Sequence, residues 1–156
     1  SFVADIPDDT FLVIGNTGVH ASTSKQVAKV ASLLEKQPER HVEIEAIGSI
    51  ARRGIEALRA GDMESVGKAM TENHIVLRSL GVSSPELEKL IKAAAPSSLG
   101  VKLTGSGGGG CMIALTKNPE QTVGAIEMEG GRAFISPFNS PGVRIETLSS
   151  QDGSPQ

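Results

Sequence analysis

Between residues 105 and 110 stand five glycines, in the order Gly105-Ser106-Gly107-Gly108-Gly109-Gly110, with Thr104 before them and Cys111 after. Glycine gives up more conformational freedom on folding than any other residue, so a run of it weakens whatever element it occupies. A chain carries such a run where the backbone must take φ > 0 or where something must approach the main chain closely. A Gly-rich linker is the other use of such a composition. Linkers, however, are not normally held between two apolar segments, and residues 99–103 and 111–115 are apolar segments of that kind. The stretch therefore reads as a site-forming loop, with a purely structural turn as the alternative.

A second stretch offers related chemistry. The apolar run Phe11-Leu12-Val13-Ile14 ends at Gly15-Asn16-Thr17-Gly18, and Ser22-Thr23-Ser24-Lys25-Gln26 follows. Thr23 and Gln26 have capping-box spacing. A strand, a small polar turn and a capped helix together form a backbone pocket whose N–H groups suit an anion or a hydroxyl. A plain helix cap explains Ser22 and Thr23 as well.

Three other chemistries are weighed against the same residues. Residues 105–110 satisfy G-x-G-x-x-G, but the dinucleotide fingerprint opens a helix, whereas residues 111–115 read as a strand. No Lys-Ser or Lys-Thr follows the glycines, which excludes a P-loop. Cys111 has no His or acidic residue near it in sequence to activate it, and at the start of a buried strand it reads as a small hydrophobe. No catalytic residue and no metal ligand is assigned.

The elements that must position these loops follow from periodicity. Val27, Val30, Ala31 and Leu34 mark one face of a helix running to about Glu35, which Pro38 breaks. Ile47, Ile50, Ala51, Gly54 and Leu58 line a second helix within residues 41–60. Gly61 closes it and Asp62 caps a third, with Met63, Val66, Met70, His74 and Leu77 on one side. His74 on that apolar face is either a satisfied core histidine or a direct substrate contact. Ser84 followed by Pro85 starts a fourth helix, which carries Leu87, Leu90, Ile91 and Ala94 and stops at Pro96. Strands at 99–103 and 111–115 bracket the glycine loop. Asn118-Pro119 opens a helix that ends at Gly130-Gly131, residues 133–135 form a strand, and residues 143–146 alternate as a further edge strand. With the helical run taken as one unit the order is β-α-β-β-α-β. That order predicts an α+β fold, a ferredoxin-like plait with an enlarged helical crossover.

Composition bounds the function. The chain of 156 residues is one domain by size. No apolar run approaches the ~18 residues of a membrane span, and residues 1–5 do not resemble a signal peptide. A lone cysteine excludes an internal disulfide and a multi-cysteine zinc site. A soluble, cytoplasmic protein is the expectation. A net charge of −3 and only four aromatic residues, all Phe, argue against nucleic acid. The first residue is Ser rather than Met, as in a piece of a longer protein.

The segment Lys102-Leu103-Thr104-Gly105-Ser106-Gly107-Gly108-Gly109-Gly110-Cys111 closely resembles the third signature motif of the GHMP kinase superfamily, in the form carried by archaeal and bacterial mevalonate kinases. Asn73-His74 with Leu77, Leu80-Gly81-Val82 and Ser83 resembles the helix that precedes it in that family. Thr17-Gly18-Val19 with Ser22-Thr23 and Lys25 is similar to the family's Thr-x-Val-x-x-Ser-Thr-Lys segment, except that Ala21 stands where a basic residue is usual. The resemblance spans about residues 10–147. It implies that residues 1–148 form the C-terminal domain of such a kinase, with a frayed tail at 149–156.

What the resemblance implies about function goes further. It implies transfer of the ATP γ-phosphate to the 5-hydroxyl of mevalonate in isoprenoid biosynthesis. Thr104, Gly105, Ser106, Gly107, Gly108 and Gly109 would approach substrate and the phosphate loop, with Ser22 and Thr23 beside them. ATP and Mg²⁺ would be held mainly by an N-terminal domain whose motifs are absent here, leaving these residues inactive alone. A homodimer is a further expectation. The alternatives are phosphomevalonate kinase or another GHMP small-molecule kinase, and, in another class, a free-standing ferredoxin-like ligand-binding module.

Overall fold

The structure is a computed structural model that describes residues 6–20, 22–105 and 110–137. The expected edge strand at 143–146, the expected tail at 149–156 and loop residues 106–109 lie outside them. The elements run β1 (Phe11–Asn16), α1 (Thr23–Lys36), α2 (His41–Arg59), α3 (Met63–Ser79), α4 (Pro85–Ala94), β2 (Gly100–Thr104), β3 (Cys111–Thr116), α5 (Pro119–Met128) and β4 (Arg132–Pro137). The four strands form an antiparallel sheet in the order β2-β3-β1-β4. That is the strand order of the ferredoxin-like plait, with α1 to α4 as the enlarged first crossover.

Side chains on a strand alternate between faces. Val13, Val101, Leu103, Met112 and Ala114 therefore share one face, and α4 and α5 cover it with Leu87, Leu90, Ile91 and Ile126. Fully burying one such side chain stabilises the fold by about 1.5–3 kcal/mol. At the far end of this core, buried Thr116 and Thr122 are joined by a hydrogen bond of 3.1 Å, and Ser97 bonds to both through its hydroxyl and carbonyl. No buried hydroxyl of that group is left unpaired, which removes the main cost of placing it in the core.

The helix ends follow their caps. Ser84 accepts from the Leu87 N–H at 3.2 Å with Pro85 at the first helical position, and Asp62 accepts from Ser65 N–H at 3.2 Å. Asn118 precedes α5 but makes no side-chain cap bond. The apolar face expected of α1 is present but not buried: α1 has no buried residue, and Val27 is 62% exposed. Periodicity marks amphipathicity, not what lies opposite, and only Val30 of that face packs against the core.

The placement that matters most for the site is that of α3. It runs along the free edge of β2 rather than over the sheet. Gly67 meets Gly100, the Thr71 hydroxyl accepts from Val101 N–H at 3.3 Å, and His74 Nδ1 accepts from Leu103 N–H at 3.1 Å. From Gly67 to His74 a helix rises about 10 Å, and from Gly100 to Leu103 a strand rises about 10 Å. The two elements therefore keep pace, and the outward N–H groups of an edge strand find side-chain acceptors.

Candidate functional site

The two stretches singled out by residue type meet at one end of the sheet. In register across it stand Thr104, Cys111, Asn16 and Arg132, the terminal pairs of β2, β3, β1 and β4. These four share a face, opposite to the one that α4 and α5 cover. The glycine loop leaves β2 after Thr104 and re-enters at Gly110, and both described ends, Gly105 and Gly110, take φ near +80° (+80° and +77°).

The re-entry point is tied to the turn after β1. The Gly110 carbonyl accepts from both the backbone N–H and the hydroxyl of Thr17, each at 2.8 Å. The Gly110 N–H donates to the Val19 carbonyl at 2.8 Å. Within the turn, Val19 N–H donates to the Thr17 hydroxyl at 3.1 Å and Gly18 N–H to Asn16 Oδ1 at 2.8 Å. Thr17 thus joins the two candidate segments through one side chain, and Val19 leads directly toward the start of α1.

That start differs from expectation by one residue. Ser22 is the cap, extended at φ −72° and ψ 126°, with its hydroxyl accepting from Lys25 N–H at 3.4 Å, and Thr23 is the first helical residue. The Ser22 carbonyl already accepts from Gln26 N–H at 3.2 Å, which is what defines a cap position. The cap therefore stands one residue before the Thr23–Gln26 box expected, and it is a simple cap, since the Lys25 side chain has no acceptor to complete a box. No acidic residue stands in the first turn of α1, so nothing there opposes an anion at its N-terminus.

This end of the sheet thus brings together Thr104, the Thr17–Gly110 clasp and the exposed Arg132, while Ser22 and Thr23 stand at the start of the helix that follows the turn. Cys111 is half-buried in β3 between Thr104 and Asn16. Ser106, Gly107, Gly108 and Gly109 lie outside the described residues. Among those described, no cluster of three His, Cys, Asp or Glu could hold a metal such as Mg²⁺. No helix among them is long and apolar enough to cross a membrane.

Behind the loop, His74 is only 3% exposed. Its Nε2 lies 2.7 Å from Glu88 Oε2, while Nδ1 faces Leu103. Glu88 also accepts from Ser83 and, at 3.2 Å, from Arg78. Burial pushes the Glu88 carboxyl up, but the hydrogen bonds from Ser83, His74 and Arg78 outweigh it and hold the group below the usual carboxylate range. Of the two readings of His74, the structure supports the satisfied core histidine. Next along β2, Lys102 borders a groove of about 260 Å³ between α2 and α3, lined also by Ile50, Gly54, Met70 and Asn73. Burial lowers its ammonium below the usual lysine range.

Residue spacing alone did not reveal Arg132 or the Thr17 clasp. Arg132 enters the site only through strand register, which no local pattern encodes. Thr17 was visible as part of a turn signature, but its partner lies 93 residues away.

A ferredoxin-like plait with an enlarged crossover and a glycine loop clasped to the β1–α1 turn defines a class. Residues 55–127 match the family model for the GHMP kinases C terminal. The chain belongs to the GHMP kinases, as their C-terminal domain. Within that class its relatives include mevalonate kinases. It is 37% identical over 145 residues to the mevalonate kinase of Pyrococcus furiosus, covering 88% of this chain and 43% of the relative. It is 38% identical over 145 residues to that of Thermococcus gammatolerans, with the same coverage of 88% and 43%. The crystal structure of L. major mevalonate kinase in complex with R-mevalonate superimposes with a TM-score of 0.66 at 34% identity, over 77% of this chain and 37% of that one. The chain thus spans less than half the length of the curated relatives it matches.

Proposed function

We propose that this chain is the C-terminal half of an ATP-dependent mevalonate kinase, which transfers the γ-phosphate of ATP to the 5-hydroxyl of mevalonate in the cytoplasm. The observation that carries the reading is the 37–38% identity to mevalonate kinases along 88% of the chain. The clasp between Thr17 and Gly110 supports it, because it holds the end of the glycine loop against the turn that leads from β1 to α1. In this reading residues 1–148 are one domain, and Thr104, Gly105, Ser106, Gly107, Gly108 and Gly109 line a cleft closed by an N-terminal domain. Ser22 and Thr23 flank that cleft.

Phosphoryl transfer rests on positioning and charge stabilisation. This wall supplies positioning through N–H and O–H donors, and Arg132 supplies one cation. The base, the phosphate loop and the Mg²⁺ ligands belong to the other half, so the chain alone is inactive. The ion, when bound there, neutralises charge on the transferring phosphoryl group.

Isothermal titration of the purified chain with ATP and with mevalonate tests this. Neither ligand alone should give saturable heat. Tight saturable binding of either one would favour a free-standing ligand-binding module instead.

A further inference from the structure

His74 is tied to the glycine loop by geometry rather than by sequence neighbourhood. The Leu103 N–H donates to Nδ1, so Nδ1 carries a lone pair and the imidazole proton resides on Nε2, where it is donated to Glu88. Glu88 in turn is fixed by Ser83, on the turn before α4, and by Arg78 of α3. A chain of contacts therefore runs from the first turn of α4 through one ring to the backbone of β2, one residue before Thr104. Leu103 is on the edge strand, where its N–H has no strand partner to hold it.

We propose that His74 is a positioning residue for the glycine loop: in its Nε2–H tautomer, held by Glu88, it fixes the backbone of Leu103 and so sets where Thr104 and Gly105 enter the site. It touches no substrate. Thr71 anchors Val101 by the same device, but a hydroxyl can rotate. The planar ring, held at both nitrogens, cannot. The link to turnover rests on the kinase reading above; the geometric claim does not.

Two substitutions separate the ring's two jobs. His74→Asn places an acceptor where Nδ1 stands, and His74→Gln places a donor where Nε2 stands. In ¹⁵N-histidine spectra of the 156-residue chain, His74 should show an unprotonated Nδ1 and a protonated Nε2. Amide exchange at Leu103 should stay within about threefold of wild type in His74→Asn and accelerate at least about fivefold in His74→Gln, the scale of one lost hydrogen bond. The Thr104 and Gly105 amide shifts should move only in His74→Gln. Thermal midpoints of both variants check that they fold; if either does not, the ¹⁵N spectrum of the wild type decides.

A protonated Nδ1, or equal protection of Leu103 in the two variants, would overturn the proposal. In a kinase assembled from this chain and a separately produced N-terminal half, His74→Gln should lower kcat at least about fivefold with KM for mevalonate nearly unchanged, and His74→Asn should restore most of it. An inactive wild-type assembly would speak against the kinase reading, while the spectra still decide the role of His74.

Discussion

Gly105 and Gly110 hold the two described ends of the loop in left-handed backbone, and among the described residues a Cβ at either would meet no atom within 4 Å. Left-handed backbone costs a side chain there about 1–2 kcal/mol. Gly110→Ala should lower the urea-unfolding free energy by that amount, and an unchanged midpoint would contradict the assigned geometry. Glu88 makes a second residue-scale prediction. Its folded-state pKa lies below the unfolded value of 4.5, so the folded protein binds fewer protons there. Its contribution to stability is complete above about pH 4.5 and is lost as pH falls through the lower folded value. Glu88→Gln should flatten the loss of stability below pH 4.5 measured by denaturant titration; an unchanged acid limb would show that other carboxylates govern it.

At the scale of elements, the contact between α3 and β2 is the decisive one. A Cβ on Gly100 would overlap the Gly67 backbone, and one on Gly67 would strike Leu99. Gly100→Ala should destabilise by about 1–3 kcal/mol or more, because backbone rather than a flexible side chain must give way. Gly124, on α5, has open space around it and no unusual φ, so Gly124→Ala should stabilise by about 0.4–1 kcal/mol. Denaturation of the pair gives opposite signs if the packing is as described, and equal effects if it is not. The helices themselves were readable in advance, since the period of α3 and the Ser84-Pro85 cap are local signals. The Gly67–Gly100 approach was not, because each glycine looks like an ordinary interruption until the two elements are set side by side. Nor was the exposure of Val27, since periodicity names a face and not its neighbour.

For the whole molecule, the order of elements was enough to name the plait, and the glycine loop with its flanking strands was enough to name the family. The site was only half legible. Residue type marked Thr104, Gly105, Ser22 and Thr23, but strand register brought in Arg132, and a contact over 93 residues made Thr17 the clasp. In the proposed reading these residues build one wall of a cleft: the Thr17–Gly110 clasp gathers the two segments at one end of the sheet. The central claim is that this wall completes a kinase. Mixing the chain with a separately produced N-terminal half of a mevalonate kinase, and measuring ADP formation with and without mevalonate, tests it most directly. The account predicts ADP only when both halves and mevalonate are present; ADP from this chain alone, or none from the mixture under any condition, would contradict it.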